Sequence, residues 1–421
     1  MKYQLAYGSN HLTVDIPSAN IKGVIEPRKI PIAVAGEELV ANSIKNPIGS
    51  PTLAQIVKNK AANNAVIVVN DITRPTPYDI ILPPLLTELE QAGISDENIK
   101  LVVATGIHRP HTREDNLAVF GQDVCDRYTI ENHNCDENLK SLGFLSNGME
   151  LRINKTVAEA DLIITTGVVG LHYFAGYSGG RKSILPGIAA RELIEANHQM
   201  MTDKRACLGN YKNNPVSDIM IEAAKMAGVD FITNVVLGPA HEVALAVSGD
   251  VYEAWMQAVK YCEKVNVVDI PEKADIVIAG CGGYPKDINV YQAQKALDAA
   301  VLALKPKGTI ILGAECREGL GEKTFEDWIR KAKSPQDIFS RFAEKFELGG
   351  HKAFAICRIL KQASIILVSS LPDEQVKGMF LTPAHSLDEA LAMAMQEHGP
   401  KATILFMPEA SSLSVNIGGQ E

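Results

Sequence analysis

Short apolar runs alternate along this chain with stretches of helical periodicity, and that alternation restricts the fold more than any other feature. Residues 65–69 (AVIVV) form an unbroken apolar run, as does a strand covered on both faces of a parallel sheet. Residues 78–92 follow with Leu85, Leu86 and Leu89 on one helical face. Further strands are expected at 100–104, 161–165 and 231–237, with a linker strand at 265–270. A second series begins with a strand at 275–279, a helix at 290–304 and a strand at 309–312. It continues through helices at 335–346 and 351–362, a strand at 364–368, a helix at 386–397 and a strand at 402–406. Strands separated by helices need crossover connections, so the expected class is α/β with mostly parallel sheets.

A chain of 421 residues exceeds one ordinary core, so two α/β domains are expected, with an active-site cleft between them. The boundary is placed at 270/271, before Pro271-Glu-Lys-Ala, giving domains 1–270 and 271–407; the tail 408–421 is expected to pack back on the first. A formal charge of -9 argues against nucleic acid as a partner, because phosphate neutralisation needs concentrated Lys and Arg. No apolar run approaches the roughly 20 residues of a membrane span. The start, MKYQLAYGSN, lacks a basic segment followed by an apolar one, and the seven cysteines form no CxxC pair. The expected compartment is therefore the reducing cytoplasm.

Asp71, His108, Gly167, Gly280 and Glu315 each fall just past a predicted strand, where open parallel sheets bind ligands. In Asp71-Ile-Thr73-Arg74-Pro-Thr-Pro, a carboxylate suits hydroxyls and a guanidinium suits a carboxylate or phosphate. The plain alternative is a turn capped by Asp71. In Ala104-Thr-Gly-Ile-His108-Arg-Pro-His111-Thr112, Thr112 with Glu114 and Asp115 marks a helix start, making His111 local structure. A lone His108 is more often structural, but a second histidine at the same site would favour acid–base work.

The most informative stretch runs Gly167-Val-Val-Gly-Leu-His172-Tyr-Phe-Ala-Gly-Tyr-Ser178-Gly179-Gly180-Arg181-Lys182-Ser183-Ile-Leu-Pro-Gly187. Its glycines and cations suit a phosphate-cradling loop, but it lacks the GxxxxGK[ST] spacing. The following helix carries His198; a zinc site on His172 and His198 lacks both the HxxxH spacing and a third ligand. In the second half, a helix opening after Gly280-Cys-Gly-Gly-Tyr-Pro places Tyr291 and Gln292 on the face of Lys295, where amide and ammonium suit a carboxylate. A solvated helix face is the bland reading of that pattern.

Together, DITRPTP, ATGIHRPHT, GLHYFAGYSGGRKSILPGIA with its later His198, and GGYPKDINVYQAQKA resemble the nickel-dependent lactate racemases and their 2-hydroxyacid racemase and epimerase relatives. The likeness covers the N-terminus to about residue 315, with order and overall length in agreement. It implies a cofactor-binding first domain and a second that closes over a small 2-hydroxy acid. It further implies a nickel–pincer nucleotide (pyridinium-3-thioamide-5-thiocarboxylic acid mononucleotide) tethered to Lys182, with His198 as the protein ligand to nickel. By the same resemblance His108 and His172 are the two acid–base groups. Asp71, Thr73, Arg74 and Ser178–Ser183 would hold the nucleotide, and Arg74, Tyr291, Gln292 and Lys295 the substrate. One histidine would take the hydroxyl proton while C2–H leaves as hydride to the cofactor; return to either face of the keto acid inverts the centre. Cofactor-assembly proteins are implied partners. A noncovalent nucleotide- or hydroxyacid-binding protein using the same cleft is the alternative.

One departure concerns the substrate pocket. The lactate enzymes lead one to expect an aromatic, usually Trp, where this chain has Gly349-Gly-His351-Lys352-Ala-Phe354-Ala. Trp255 and Trp328 fall elsewhere in the sequence. His351 and Lys352 either add polar contacts to a longer dicarboxylic or sugar acid or, as the pattern favours, cap a helix start with exposed charges.

Overall fold

The computed structural model describes residues 1–31, 34–238 and 240–418. The chain is α/β and divides into two compact units, Ile30–Glu263 and, joined from both ends of the sequence, Met1–Lys29 with Lys264–Glu421. Among the described residues no helix is long and apolar enough to cross a membrane.

The unit Ile30–Glu263 is built on a six-stranded sheet ordered Val243–Gly249, Phe231–Leu237, Leu162–Val168, Ala65–Asn70, Ile99–Ala104, Thr129–Asn132. All neighbours are parallel except the edge strand Val243–Gly249. The chain moves outward from Ala65–Asn70 to one edge and then returns to Leu162–Val168 on the other side. The carboxyl ends of Ala65–Asn70 and Leu162–Val168 therefore flank the point where strand order reverses, the usual place for a ligand. Ile67, Val69, Leu101, Val103, Ile164 and Val235 pack under Leu82, Leu85, Leu86 and Leu89 of helix Tyr78–Gln91. Each such side chain contributes roughly 1.5–3 kcal/mol on burial. Gly167, expected past a strand end, lies within Leu162–Val168 because that strand runs three residues past the expected end at 165.

The second unit carries an all-parallel sheet ordered Thr382–Ala384, Ala363–Val368, Leu304–Gly313, Ala274–Gly280, Ile404–Met407, Ile21–Val24. Its core joins Ile276, Ile278, Ile311, Ile366 and Phe406 to Leu5 and Val14 from the hairpin Lys2–Tyr7/Asn10–Asp15. The expected first domain of 1–270 is thus drawn differently here: its first 29 residues supply an edge strand and apolar side chains to the second unit's core. The tail returns as strand Ser414–Ile417, pairing in parallel with Val267–Ile270, and both strands belong to this same unit rather than to the first. Residues 419–421 of that tail lie outside the described residues.

Candidate active site

Three strand ends of the first unit supply the site. After Ala65–Asn70 the chain turns at once, with the Arg74 amide donating to the Asp71 carbonyl at 3.0 Å. The buried Asp71 carboxylate accepts from Thr73 Oγ1 at 2.7 Å and from His108 Nδ1 at 2.7 Å. Arg74 Nη1 in turn donates to Thr73 Oγ1 at 2.6 Å. Burial pushes the Asp71 carboxyl up, but hydrogen bonds from His108 and Thr73 and the charge of Arg74 outweigh it, and the carboxyl titrates below its ordinary value. Asp71 therefore both closes the turn and orients His108, leaving the lone pair of the neutral imidazole at Nε2.

His111 has the local role expected of it. Its Nε2 accepts from the Ile72 amide at 2.7 Å and its Nδ1 pairs with Asn116 Oδ1 at 3.0 Å. Thr112 and Asp115 cap helix Arg113–Arg127 reciprocally.

His172 stands in a two-residue strand, Leu171–His172, paired antiparallel with Gly176–Tyr177. The Ala175 amide donates to its Nδ1 at 3.3 Å, which places the proton of the neutral ring at Nε2. The two histidines are thus held in opposite tautomers, with the proton on Nδ1 of His108 and on Nε2 of His172.

Phe174 gathers the remaining groups. Its ring centre lies 4.6 Å from that of His172, 5.1 Å from that of His198 and 5.6 Å from Lys182 Nζ. Desolvation, then the charges of Arg181 and Arg74, hold the Lys182 amine well below the usual lysine range, favouring its neutral, nucleophilic form. His198, on helix Arg191–Gln199, donates from Nδ1 to the Ile194 carbonyl at 2.9 Å, which directs its basic nitrogen, Nε2, away from its own helix. Burial above all lowers its pKa to about 3, so the ring is neutral. Among the described residues no three His, Cys, Asp or Glu side chains converge as a metal site. Imidazole is a ligand that suits nickel, zinc, copper and iron alike.

The polar side chains of the Gly-rich loop are engaged within the first unit. Ser178 Oγ donates to the Val168 carbonyl at 2.8 Å and accepts from the Gly170 amide at 2.9 Å. Ser183 Oγ donates to the Thr166 carbonyl at 3.2 Å, and the Gly180 amide donates to Asn234 Oδ1 at 2.7 Å. Arg181, 1% exposed, lies over the Trp255 ring at 3.8 Å and donates to the Ala175 carbonyl and Ser217 Oγ, each at 3.0 Å. These groups hold the loop that presents Lys182. Gly180, at φ +51, is required because a Cβ there would stand 2.9 Å from the Trp255 ring. Asn234, Trp255 and Phe174 escaped sequence reading; the only signal was a polar residue inside the apolar run FITNVVL.

In the second unit, helix Val290–Ala300 starts at Asn289, whose Oδ1 accepts from the Gln292 amide at 3.0 Å. Lys295 Nζ donates to Gln292 Oε1 at 2.9 Å, so these two do share a face. The Tyr291 ring lies 6.2 Å from His351 and 6.0 Å from Phe325. The expectation of exposed charges at His351 and Lys352 is overturned. Both are buried, because the close approach of Gly350 to the Trp328 indole draws the start of helix Gly350–Leu360 into the core.

Residues 7–209 match the family model of the lactate racemase N-terminal domain, and residues 270–415 that of the lactate racemase C-terminal domain. The chain belongs to the lactate racemase family. It is an enzyme of the isomerase class, a racemase or epimerase. It is 36% identical to the lactate racemase of Thermoanaerobacterium thermosaccharolyticum and 34% to that of Lactiplantibacillus plantarum; the first match covers 98% of each chain, the second 98% of this chain and 99% of the relative. The solved structure of the Thermoanaerobacterium lactate racemase apoprotein superposes with a TM-score of 0.92 at 35% identity, over 99% of this chain and 100% of that one. A Thermotoga maritima protein, 18% identical at a TM-score of 0.62, shares the fold alone.

Proposed function

We propose that this family member inverts C2 of a 2-hydroxy acid, either lactate or a larger, more polar relative, with His108 and His172 as its two acid–base groups. The observation that carries the reading is their opposite hydrogen bonding. His108 Nε2, backed by Asp71, takes up the hydroxyl proton, and Asp71 stabilises the imidazolium that forms. His172 Nε2–H delivers a proton to the oxygen on the other face. A racemase needs two such groups because the hydroxyl ends on opposite sides of the carbon, and each direction of reaction exchanges their roles. Arg74 grips the carboxylate while C2 is planar. In the second unit, Gln292 and Lys295 set an amide beside an ammonium, a pair suited to a carboxylate.

The residues fit a nickel–pincer nucleotide: the neutral Lys182 amine suits covalent attachment and His198 Nε2 suits nickel. When bound, that group supplies a carbon that accepts the C2 hydrogen as hydride and returns it. Since Ser178, Gly180, Arg181 and Ser183 spend donors on the loop itself, we assign them to shaping the tether site and leave the anion contact to Arg74. Loading would depend on assembly proteins. All seven cysteines are free thiols, in keeping with a cytoplasmic enzyme.

The test is intact mass and nickel content on protein coexpressed with cofactor-assembly enzymes, followed by chirally resolved turnover of a 2-hydroxyacid panel. A nickel-bearing adduct mapped to Lys182, with loss of optical purity in one panel member, is the expected result. No adduct despite competent assembly enzymes would overturn the cofactor assignment.

A further inference from the structure

The peptide between Phe174 and Ala175 is held at both ends. Its N–H, from Ala175, donates to His172 Nδ1 at 3.3 Å, and its C=O, from Phe174, accepts from Asn214 Nδ2 at 2.8 Å. A trans peptide is planar, with N–H and C=O pointing opposite ways, so the group that holds the oxygen also aims the hydrogen. Asn214 lies 40 residues beyond Phe174 in sequence and is fully buried.

Asn214 is itself fixed in place. It opens helix Pro215–Met226, where its Oδ1 accepts from the Val216 amide at 3.1 Å and the Ser217 amide at 3.3 Å. Those bonds leave Nδ2 facing away from the helix, where it also donates to the Asn210 carbonyl at 2.7 Å. Two bonds accepted and two donated complete what one side-chain amide can do. Gly176 admits this stretch of chain, since a Cβ there would stand 2.3 Å from the Asn210 oxygen. The next carbonyl, that of Ala175, accepts from Arg181 Nη2, which also donates to Ser217 Oγ, each at 3.0 Å. The first turn of one helix therefore holds two successive carbonyls of the His172 turn, one through Asn214 and one through Ser217 and Arg181. Capping alone does not call for this arrangement, because the oxygen of a serine or aspartate caps as well.

We propose that Asn214 is a positioning residue for His172: by fixing the Phe174–Ala175 peptide it keeps the imidazole oriented with its proton on Nε2. The inference rests on reading His172 as an acid–base group. Without the Asn214 amide the buried Phe174 oxygen loses a donor, and a peptide flip that finds another turns the Ala175 N–H away from the ring. Nδ1 then lacks the donor that keeps it unprotonated.

The experiment uses Asn214→Ser, which keeps a cap oxygen for the helix but is too short to donate to Phe174. Ser386→Ala, which takes the cap from the Glu389 amide in the second unit, controls for lost stability alone. Nitrogen-15 spectra of the full-length chain without cofactor, labelled at histidine and assigned with His172→Gln, read the tautomer. Wild type should show His172 protonated on Nε2; both tautomers, or a proton on Nδ1, would overturn the proposal without any variant. Asn214→Ser should bring the two ring-nitrogen shifts closer together. In adduct-bearing enzyme it should lower kcat about tenfold in both directions with KM unchanged. Ser386→Ala should change neither shifts nor kcat. Wild-type shifts in a folded Asn214→Ser, whatever its melting temperature, would leave Asn214 a helix cap and nothing more. Should that variant not fold, the isosteric cap Asn214→Asp takes its place with the same two outcomes. If adduct-bearing wild type turned over no hydroxy acid, the acid–base reading of His172 would fail by itself. The nitrogen shifts would still decide whether Asn214 positions the ring.

Discussion

Replacing Asp71 with Asn tests the pairing on which the proposed proton transfers depend. Asp71 accepts two hydrogen bonds, from His108 Nδ1 and Thr73 Oγ1, each 2.7 Å. Asn keeps the shape but has one acceptor and one donor. Because Thr73 Oγ1 already accepts from Arg74 Nη1, its proton stays aimed at residue 71 and claims the amide oxygen. The amide nitrogen then faces His108 Nδ1, which has to accept instead of donate. The proton moves to Nε2, and the lone pair that would receive the substrate proton is lost. The imidazolium also loses its counter-charge, which at about 4 Å and an effective dielectric of about 20 is an interaction of about 4 kcal/mol. The His108 side chain is 31% exposed, so solvent screening reduces this to about 3 kcal/mol, or about two decades in rate. We therefore expect kcat for Asp71→Asn to fall about 10²–10³-fold with little change in KM. Two enantiomers with a single stereocentre are equal in free energy, so kcat/KM has to fall by the same factor in both directions. The assay is chiral chromatography of reactions run from each enantiomer, with equal cofactor load verified by mass. A variant within threefold of wild type at equal load would refute the argument. Stability offers a second check. The folded Asp71 pKa lies below 3.8, so the carboxylate stabilises the fold above that pH and the contribution is lost as pH falls through the folded value. The acid limb of the melting curve should therefore flatten in the variant.

Other substitutions address the remaining roles. Lys182→Ala should leave the intact mass at that of the bare chain; an adduct elsewhere on the protein would contradict the tether. His198→Ala should strip nickel while the organic adduct stays on Lys182, and unchanged nickel by metal analysis would remove His198 as its ligand. Arg181→Met should destabilise the fold by about 2–4 kcal/mol in urea titration, since it strands the Ala175 carbonyl and Ser217 and removes the stack on Trp255; a loss under about 1 kcal/mol would show that the loop does not need this brace. Burial holds His133 at about 4 against 6.5 when unfolded, so the unfolded chain binds the extra proton first. Stability should fall by about 3 kcal/mol from pH 7 to pH 4 on this account, and His133→Gln should remove that part of the slope.

Local chemistry made much of this protein legible in its sequence. Covered parallel strands need continuous apolar runs, so Ala65–Asn70 is visible to within one residue, and turns need Gly, Pro and Asp, which marks the strand ends where the candidate site lies. Helix spacing alone put Gln292 and Lys295 together. The direction in which a polar side chain points was decided only by tertiary packing, because its partners come from distant parts of the chain. Arg181 reads as a phosphate ligand until Trp255 and Ser217 draw it inward. Asp71 reads as a turn cap or a partner for hydroxyls, and only the fold brings His108, 37 residues on, to its carboxylate. Residues 1–29 join the later unit because Leu5 and Val14 find their apolar partners there, and Lys352 is buried because Gly350 packs on Trp328. Period and punctuation are properties of neighbouring residues and are written in the sequence. Burial and hydrogen-bond partnership join residues far apart in it, and exist only once the chain has folded.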